Sequence, residues 1–372
     1  MQTAWTPPKT GYWLWMEQEG IPIIEAYGIE DLNDLPRKPW ARMGGSGAYI
    51  ELKGQEGVTG MYVVEIPSGG ALNPERHLYE ELIYIVKGRG LTEVWHEEGR
   101  KQTFEWGEGS LFAPPLNTWH RLVNGGREPA LALAVSTAPI MLDIYRDPSF
   151  VFNTSYQFKS RFGGEEGYFN VGDKRYRVGP GAQWETNFIP DVRTAALDEA
   201  EHKVSGGLIT SFEMGGNTLV GHIADWPAGR YHKAHYHGSG AILLILRSKG
   251  YLLMWPKEVG TRPYQAGRED AVVEFHWKPG SLYSPPNGWF HMHINTGAGP
   301  ARQLALRPGS RNNPLTLFDA AHRKENGVLL SIQEGGTMIE YEYEDPEIRR
   351  RYEEALKREG VKCEMPPVVY KS

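Results

Sequence analysis

Apolar residues in this chain arrive in short, dense runs. Val, Ile, Leu, Tyr and Trp fill a few positions at a time, and Gly, Pro, Asn and Asp close each run. Runs of that kind, bounded by turn formers, read as many short strands buried in a sheet core. The pattern predicts strands over 60–66, 82–86, 91–96, 110–113 and 130–135. It predicts a second set over 218–223, 242–246, 251–255, 272–275 and 301–306.

Helical spacing shows clearly in one place. Asp345 is a capping residue, Pro346 suits the first helical position, and Gly360 suits the end. Between them Ile348, Tyr352, Ala355 and Leu356 recur at steps of three and four, which puts them on one face. The pattern predicts a helix over 346–359. Arg349, Arg350 and Arg351 then lie on its solvated side, among acids, and read as a charged surface rather than an anion site. A short helix is also expected over 195–202.

Composition narrows the class. Forty-four glycines and 26 prolines fit a chain of many turns. At 372 residues it can build two cores. A net charge of −6 with no basic stripe argues against nucleic acid. The single cysteine, Cys363, cannot form an internal disulfide, and the start Met1-Gln-Thr-Ala-Trp-Thr-Pro-Pro does not read as a signal peptide. The longest apolar stretches, 130–135 and 241–246, are too short to cross a bilayer. A cytoplasmic protein with no membrane partner is the expectation.

The chemistry sits in a motif that occurs twice. His235-Tyr236-His237 is followed by Gly280-Ser-Leu-Tyr-Ser-Pro285-Pro286-Asn-Gly288-Trp289-Phe-His291. An earlier stretch runs Glu75-Arg-His77-Leu-Tyr-Glu80-Glu81, then Gly109-Ser-Leu-Phe-Ala-Pro114-Pro115-Leu-Asn117-Thr118-Trp119-His120. Gly109 falls on Gly280, His120 on His291 and Asn124 on Asn295; His77 falls on His237, Gly90 on Gly250 and Trp95 on Trp255. Such self-similarity points to a tandem duplication. Strand side chains alternate faces, so His235 and His237 share a side, and His291 is expected to close on them from a second strand across the barrel. Three imidazoles placed so can hold one metal ion.

Both copies resemble the paired motifs of the cupins, and the chain as a whole is similar to a bicupin. The resemblance implies an all-β fold: two tandem cupin barrels (double-stranded β-helix, jelly-roll) with a few short helices and a C-terminal helix. The barrels would span 57–140 and 216–310, with an N-terminal arm over 1–56, a connector over 141–215 and a C-terminal segment over 311–372. The connector is expected to pack across the barrels or against a second subunit.

The main metal site is expected at His235, His237 and His291. Ala241 stands where cupins carry a glutamate, so half the coordination shell is open. Iron(II) is the first choice; manganese, nickel, copper and zinc share the ligand type. A second site is formed by His77, Glu81 and His120, with Glu75 in the place of the motif's first histidine. Alternatively that site is degenerate, with Glu75 or Glu81 paired to Arg76 or Arg121. Alternation places Trp289 and His293 inward beside His291, Trp289 as an aromatic wall and His293 as an acid/base or a support for the ligands. By the same parity His232 and Tyr236 point away, and Glu80 lies on the surface. Arg247 and Arg307 end strands in the second copy, where each could offer a fork to a substrate carboxylate but reads first as a solvated surface cation.

An open three-His site resembles those of gentisate 1,2-dioxygenase-type enzymes, although in that family the working triad belongs to the first barrel. The first expectation is therefore an iron(II) dioxygenase acting with dioxygen on a small chelating molecule, such as a hydroxylated aromatic acid. A metal-dependent decarboxylase, lyase or isomerase is the alternative, followed by a non-catalytic binding bicupin. The resemblance also implies a homo-oligomer.

Overall fold

The computed structural model describes residues 6–97, 101–178, 181–199, 204–238, 241–313 and 329–371. Two barrels are built on one plan, each from a large sheet facing a small one. In the first, the large sheet runs in the order Ile23–Ala26, Gly45–Leu52, Gly60–Ile66, Ala130–Ser136, Glu81–Lys87, Leu111–Phe112 and Phe188–Ile189, with Lys38–Trp40 beside Gly45–Leu52. Its small sheet is Trp119–Asn124, Arg89–Trp95 and Gln102–Gly107. In the second, the order is Lys174–Val178, Gly181–Glu185, Leu208–Glu213, Leu219–Trp226, Ala301–Pro308, Ile242–Arg247, Leu282–Tyr283 and Gly28–Ile29. The facing sheet is Val273–Trp277, Gly250–Pro256 and Trp289–Asn295. This is the double-barrel jelly-roll expected from the sequence, and a strand falls on each predicted run, shortest at Leu111–Phe112 in the run 110–113.

The duplication extends beyond the two motifs. Ile23–Ala26 lies parallel to Gly45–Leu52, and Gly181–Glu185 lies parallel to Leu208–Glu213 in the same way. Each arm then lends two residues to the other barrel. Gly28–Ile29 pairs with Leu282–Tyr283, and Phe188–Ile189 pairs with Leu111–Phe112. The exchange is reciprocal down to single bonds. Ser281 Oγ donates to Glu30 O at 2.6 Å, and Ser110 Oγ donates to Pro190 O at 2.7 Å.

One core lies between the barrels, where the outer faces of the two large sheets meet. Leu82, Leu133 and Val135 of the first pack with Ile242, Leu304 and Leu306 of the second. The barrel interiors form separate clusters. The motif glycines Gly90 and Gly250 are required by close packing: a Cβ there would stand 2.0 Å from Val123 O and 1.9 Å from Ile294 O.

The C-terminal helix is Pro346–Glu359, with Asp345 accepting from Glu347 N and Gly360 in the left-handed region at φ 67°. Its buried face packs on the outer side of the second small sheet. Arg349, Arg350 and Arg351 pair with Glu353, Glu347 and Glu354 on that helix. The helix expected over 195–202 does not form over 195–199, where Arg302 draws the Ala195 carbonyl at 2.9 Å; 200–202 lie outside the described residues. Among the described residues no helix is long and apolar enough to cross a membrane.

Candidate metal centres

In the second barrel His235, His237 and His291 bring their ligand atoms within 4.8 Å of one another. Each ring is fixed through Nδ1 to a backbone carbonyl: Lys233 O at 2.9 Å, Gly238 O at 3.1 Å and Trp289 O at 3.1 Å. A carbonyl accepts, so Nδ1 carries the proton and Nε2 is the atom able to ligate. His291 comes from the strand next to His235, not from across the barrel, for the two residues bridge each other.

His293 lies inward, as alternation requires, one step deeper than His291 with ring centroids 5.6 Å apart. Its Nδ1 is hydrogen-bonded to Tyr283 Oη at 2.9 Å. Trp289 is half-buried in the interior cluster of the second barrel, against Tyr27 from the N-terminal arm. Tyr236 points away, as expected, and packs on Phe290. Arg247 is an exposed partner of Asp225, while Arg307 follows Ala305 on the inward face of Ala301–Pro308.

His232 is a correction. It is buried inside the barrel, 4.7 Å from the Trp226 ring and 5.4 Å from the His293 ring. Tyr231 bridges Ile294 and His235 bridges His291, so residues 232–234 stand opposite only 292–293. The extra residue is a β-bulge, and a bulge inverts the parity of what precedes it. The first barrel has the same feature, with Ala71 on Val123 and Glu75 on His120. Pro74, which has no N–H to offer a ladder, was its signal in the sequence.

In the first barrel Glu75, His77, Glu81 and His120 converge in the same manner. His77 Nε2 is 3.6 Å from Glu81 Oε2, and His120 Nε2 is 3.9 Å from the same oxygen and 3.8 Å from Glu75 Oε1. The Nδ1 atoms are held by Tyr79 O and Thr118 O at 2.9 and 3.0 Å. His77 Nε2, Glu81 Oε2 and His120 Nε2 are buried and have no hydrogen-bond partner. Inward lone pairs on two imidazoles and a carboxylate repel unless a cation joins them, so this donor set fits a divalent ion. Burial holds His120 below the ordinary imidazole range.

The degenerate pairing expected for this site does not form as drawn. Arg76 pairs with Glu97 and Arg121 with Glu93. Instead Arg42, from the N-terminal arm, pairs with Glu75 and with Glu19. Burial works to raise the Glu75 carboxyl, but the Arg42 guanidinium beside it outweighs that and holds it below the usual range. The Arg42 guanidinium sits about the rings of Trp15, Trp40 and Phe152, which close that side. Tyr62 Oη donates to the other oxygen of Glu81 at 2.9 Å. Its counterpart, Ala241, leaves the second centre without a carboxylate.

Glu80 is also corrected. It is buried between the barrels, accepting from Thr218 N at 2.8 Å, Thr218 Oγ1 at 2.7 Å and Leu219 N at 3.0 Å, beside Arg161 at 3.2 Å.

Residues 62–136 match the cupin domain family. No curated protein matches the chain. Among solved structures it is similar to oxalate decarboxylase from Bacillus subtilis, with TM-score 0.47 and 14% identity over 77% of this chain and 76% of that one. It is similar to the formate complex of Lactobacillus farciminis oxalate decarboxylase, with TM-score 0.48 and 12% identity over 79% and 87%. It is similar to the 7S globulin of Momordica charantia, with TM-score 0.47 and 13% identity over 77% and 85%.

Proposed function

We propose that this bicupin is a metal-dependent enzyme acting on a small acid that chelates through two oxygens at the centre of His235, His237 and His291. The observation that carries the reading is that set of three rings, each turned inward by a backbone carbonyl, with Ala241 in place of the fourth ligand. A divalent ion held there would act as a Lewis acid on the oxygens of the chelating molecule. The protein side chains do the rest. Trp289 and Tyr27 form an aromatic wall beside the ligands. His293 is the group placed to move a proton. Burial pushes the Tyr283 phenol far up, so it stays protonated and steadies the His293 ring.

A buried His–Tyr pair beside the ligands suits reactions that must deliver or remove a proton, such as decarboxylation, lyase or isomerase chemistry. That neighbourhood favours these over dioxygenation, which the sequence ranks first. Dioxygenation remains the second reading, supported by the open half of the shell at Ala241. Iron(II) is the ion suited to the second reading; manganese serves the first equally. The first-barrel centre is read as a second, more enclosed ion site built from His77, Glu81 and His120, with Glu75 shared with Arg42.

Metal quantification on wild type, His235→Ala and His77→Ala tests the site. One ion per barrel is expected, with each variant losing only its own. Turnover of small oxo- and hydroxyacids is then compared with and without oxygen. Carbon dioxide release under anaerobic conditions supports the leading reading, and oxygen uptake matched to substrate loss supports the second. Wild-type protein whose second barrel takes up no metal sinks both.

A further inference from the structure

The base of the second barrel is polar where the base of the first is not. Register pairs the positions one by one. Ile66, opposite Ala130, corresponds to Trp226, opposite Ala301. Ala132, opposite Ile85, corresponds to Gln303, opposite Ile245. Leu122, opposite Thr92, corresponds to His293, opposite Leu252. Phe112, opposite Ile83, corresponds to Tyr283, opposite Leu243. Leu72, bonded to Leu122 O, corresponds to His232, bonded to His293 O. Five apolar residues that simply fill the first barrel have become two histidines, a tyrosine, a tryptophan and a glutamine.

A sixth position shows what this does to hydrogen bonding. Trp106 and Trp277 occupy matching places, opposite Gly90 and Gly250. The Trp106 indole donates to Thr92 Oγ1 at 3.1 Å. Leu252 stands where Thr92 would be, and Trp277 Nε1 has no partner. Trp226 Nε1 and Gln303 Oε1 are likewise buried without a partner, in side chains that are 0% and 3% exposed. The two indole rings lie 6.0 Å apart, and Trp226 is 6.1 Å from His293. Leaving two donors and an acceptor buried and unmatched is costly, so the arrangement calls for an occupant.

We infer that the base of the second barrel is a binding chamber for a neutral hydroxyl of the molecule held at the three-His centre. This rests on the reading of that centre as the substrate site. The chemistry selects the group. A hydroxyl accepts from the indole N–H groups and donates to Gln303 Oε1, whereas a carbonyl satisfies only the indoles. None of the six side chains carries a fixed charge, so a second carboxylate would be buried without a counterion. The His293 ring neighbours both ends, its centroid 5.6 Å from that of His291 and 6.1 Å from that of Trp226, so chelating end and hydroxyl belong to one short body. The substrate class is therefore a chelating acid with a hydroxyl at the far end of a short rigid body.

Manganese-loaded protein titrated with salicylate and with 2,4-dihydroxybenzoate tests this, because the probes differ only in the distal hydroxyl. The added hydroxyl is expected to tighten binding about tenfold in wild type. That gain is expected to vanish in Trp226→Phe/Trp277→Phe/Gln303→Leu, with manganese content unchanged. Gln303→Leu alone, which removes the amide while keeping an apolar side chain of similar volume, is expected to lose part of the gain and serves if the triple variant does not fold. Manganese-loaded wild type that binds the two probes equally overturns the chamber and leaves the centre standing. So does a gain that survives in the variants, or a bound complex in which ordered water alone fills the base. His77→Ala protein, with only its second barrel intact, that takes up no manganese overturns both.

Discussion

Glu344 is buried beside the C-terminal helix, accepting from the Tyr231 hydroxyl, and burial pushes its carboxyl up to about 8 from an ordinary 4.5. Glu51 is buried under the first barrel and is likewise pushed up to about 8, by burial and then by Glu56 and Glu25. A carboxyl whose folded value exceeds its unfolded one keeps a proton that the unfolded chain releases. The native state then binds more protons between about 4.5 and 8, and stability falls as pH rises through that window. Each group contributes a slope of at most about 1.4 kcal/mol per pH unit. Glu344→Gln is expected to lose less stability than wild type between pH 6 and pH 8.5 in urea denaturation; equal losses would refute this account of Glu344. At this scale the sequence was legible where spacing governs: His235, His237 and His291 converge as their spacing implies. It misled where one inserted residue changes parity, as the bulge before His235 turns His232 inward. Arg42 could not be picked out as the partner of Glu75, since 33 residues separate them and only folding brings them together.

The C-terminal helix shows how much a single element can declare. Its cap, first proline, apolar stripe and terminal glycine are local signals, and the structure realises all four. Asp345 also accepts from Gln265 N at 2.8 Å, so Asp345→Ala is expected to cost about 1–2 kcal/mol, measured by chemical denaturation. Glu80 is the opposite case. Its carboxylate gathers the entry of the strand Leu219–Trp226, 138 residues away, and no local pattern announces that. Glu80→Ala leaves backbone donors unmatched and Arg161 short of a partner. A loss of about 2–4 kcal/mol is expected, with Glu80→Gln milder, read from urea midpoints. A variant within 0.5 kcal/mol of wild type would show that water replaces the carboxylate.

At the scale of the whole molecule the barrels are not separable. Each arm supplies an edge strand to the other barrel, and the two large sheets share one core. The piece 181–371 would expose Ile242, Leu304 and Leu306 together with the unpaired edge of Leu282–Tyr283. Expressed alone, it is expected to associate or stay unfolded. A monomeric, cooperatively melting fragment by ultracentrifugation and circular dichroism would refute this coupling. Removing residues 1–34 is expected to destabilise the second barrel as well as the first, since Gly28–Ile29 and Leu32 are tied to residues 280–283.

The chain by itself determined the strand pattern, the duplicated motif, the convergent histidine and glutamate sets and the C-terminal helix. These depend on periodicity, on turn chemistry and on residues whose chemistry is recognisable in isolation. Tertiary structure alone decided the exchange of arms, the burial of Glu80, the pairing of Arg42 with Glu75 and the polar base of the second barrel. Each of those depends on which distant segments share a boundary after folding, and hydrogen-bond satisfaction in a buried space cannot be counted until the space exists.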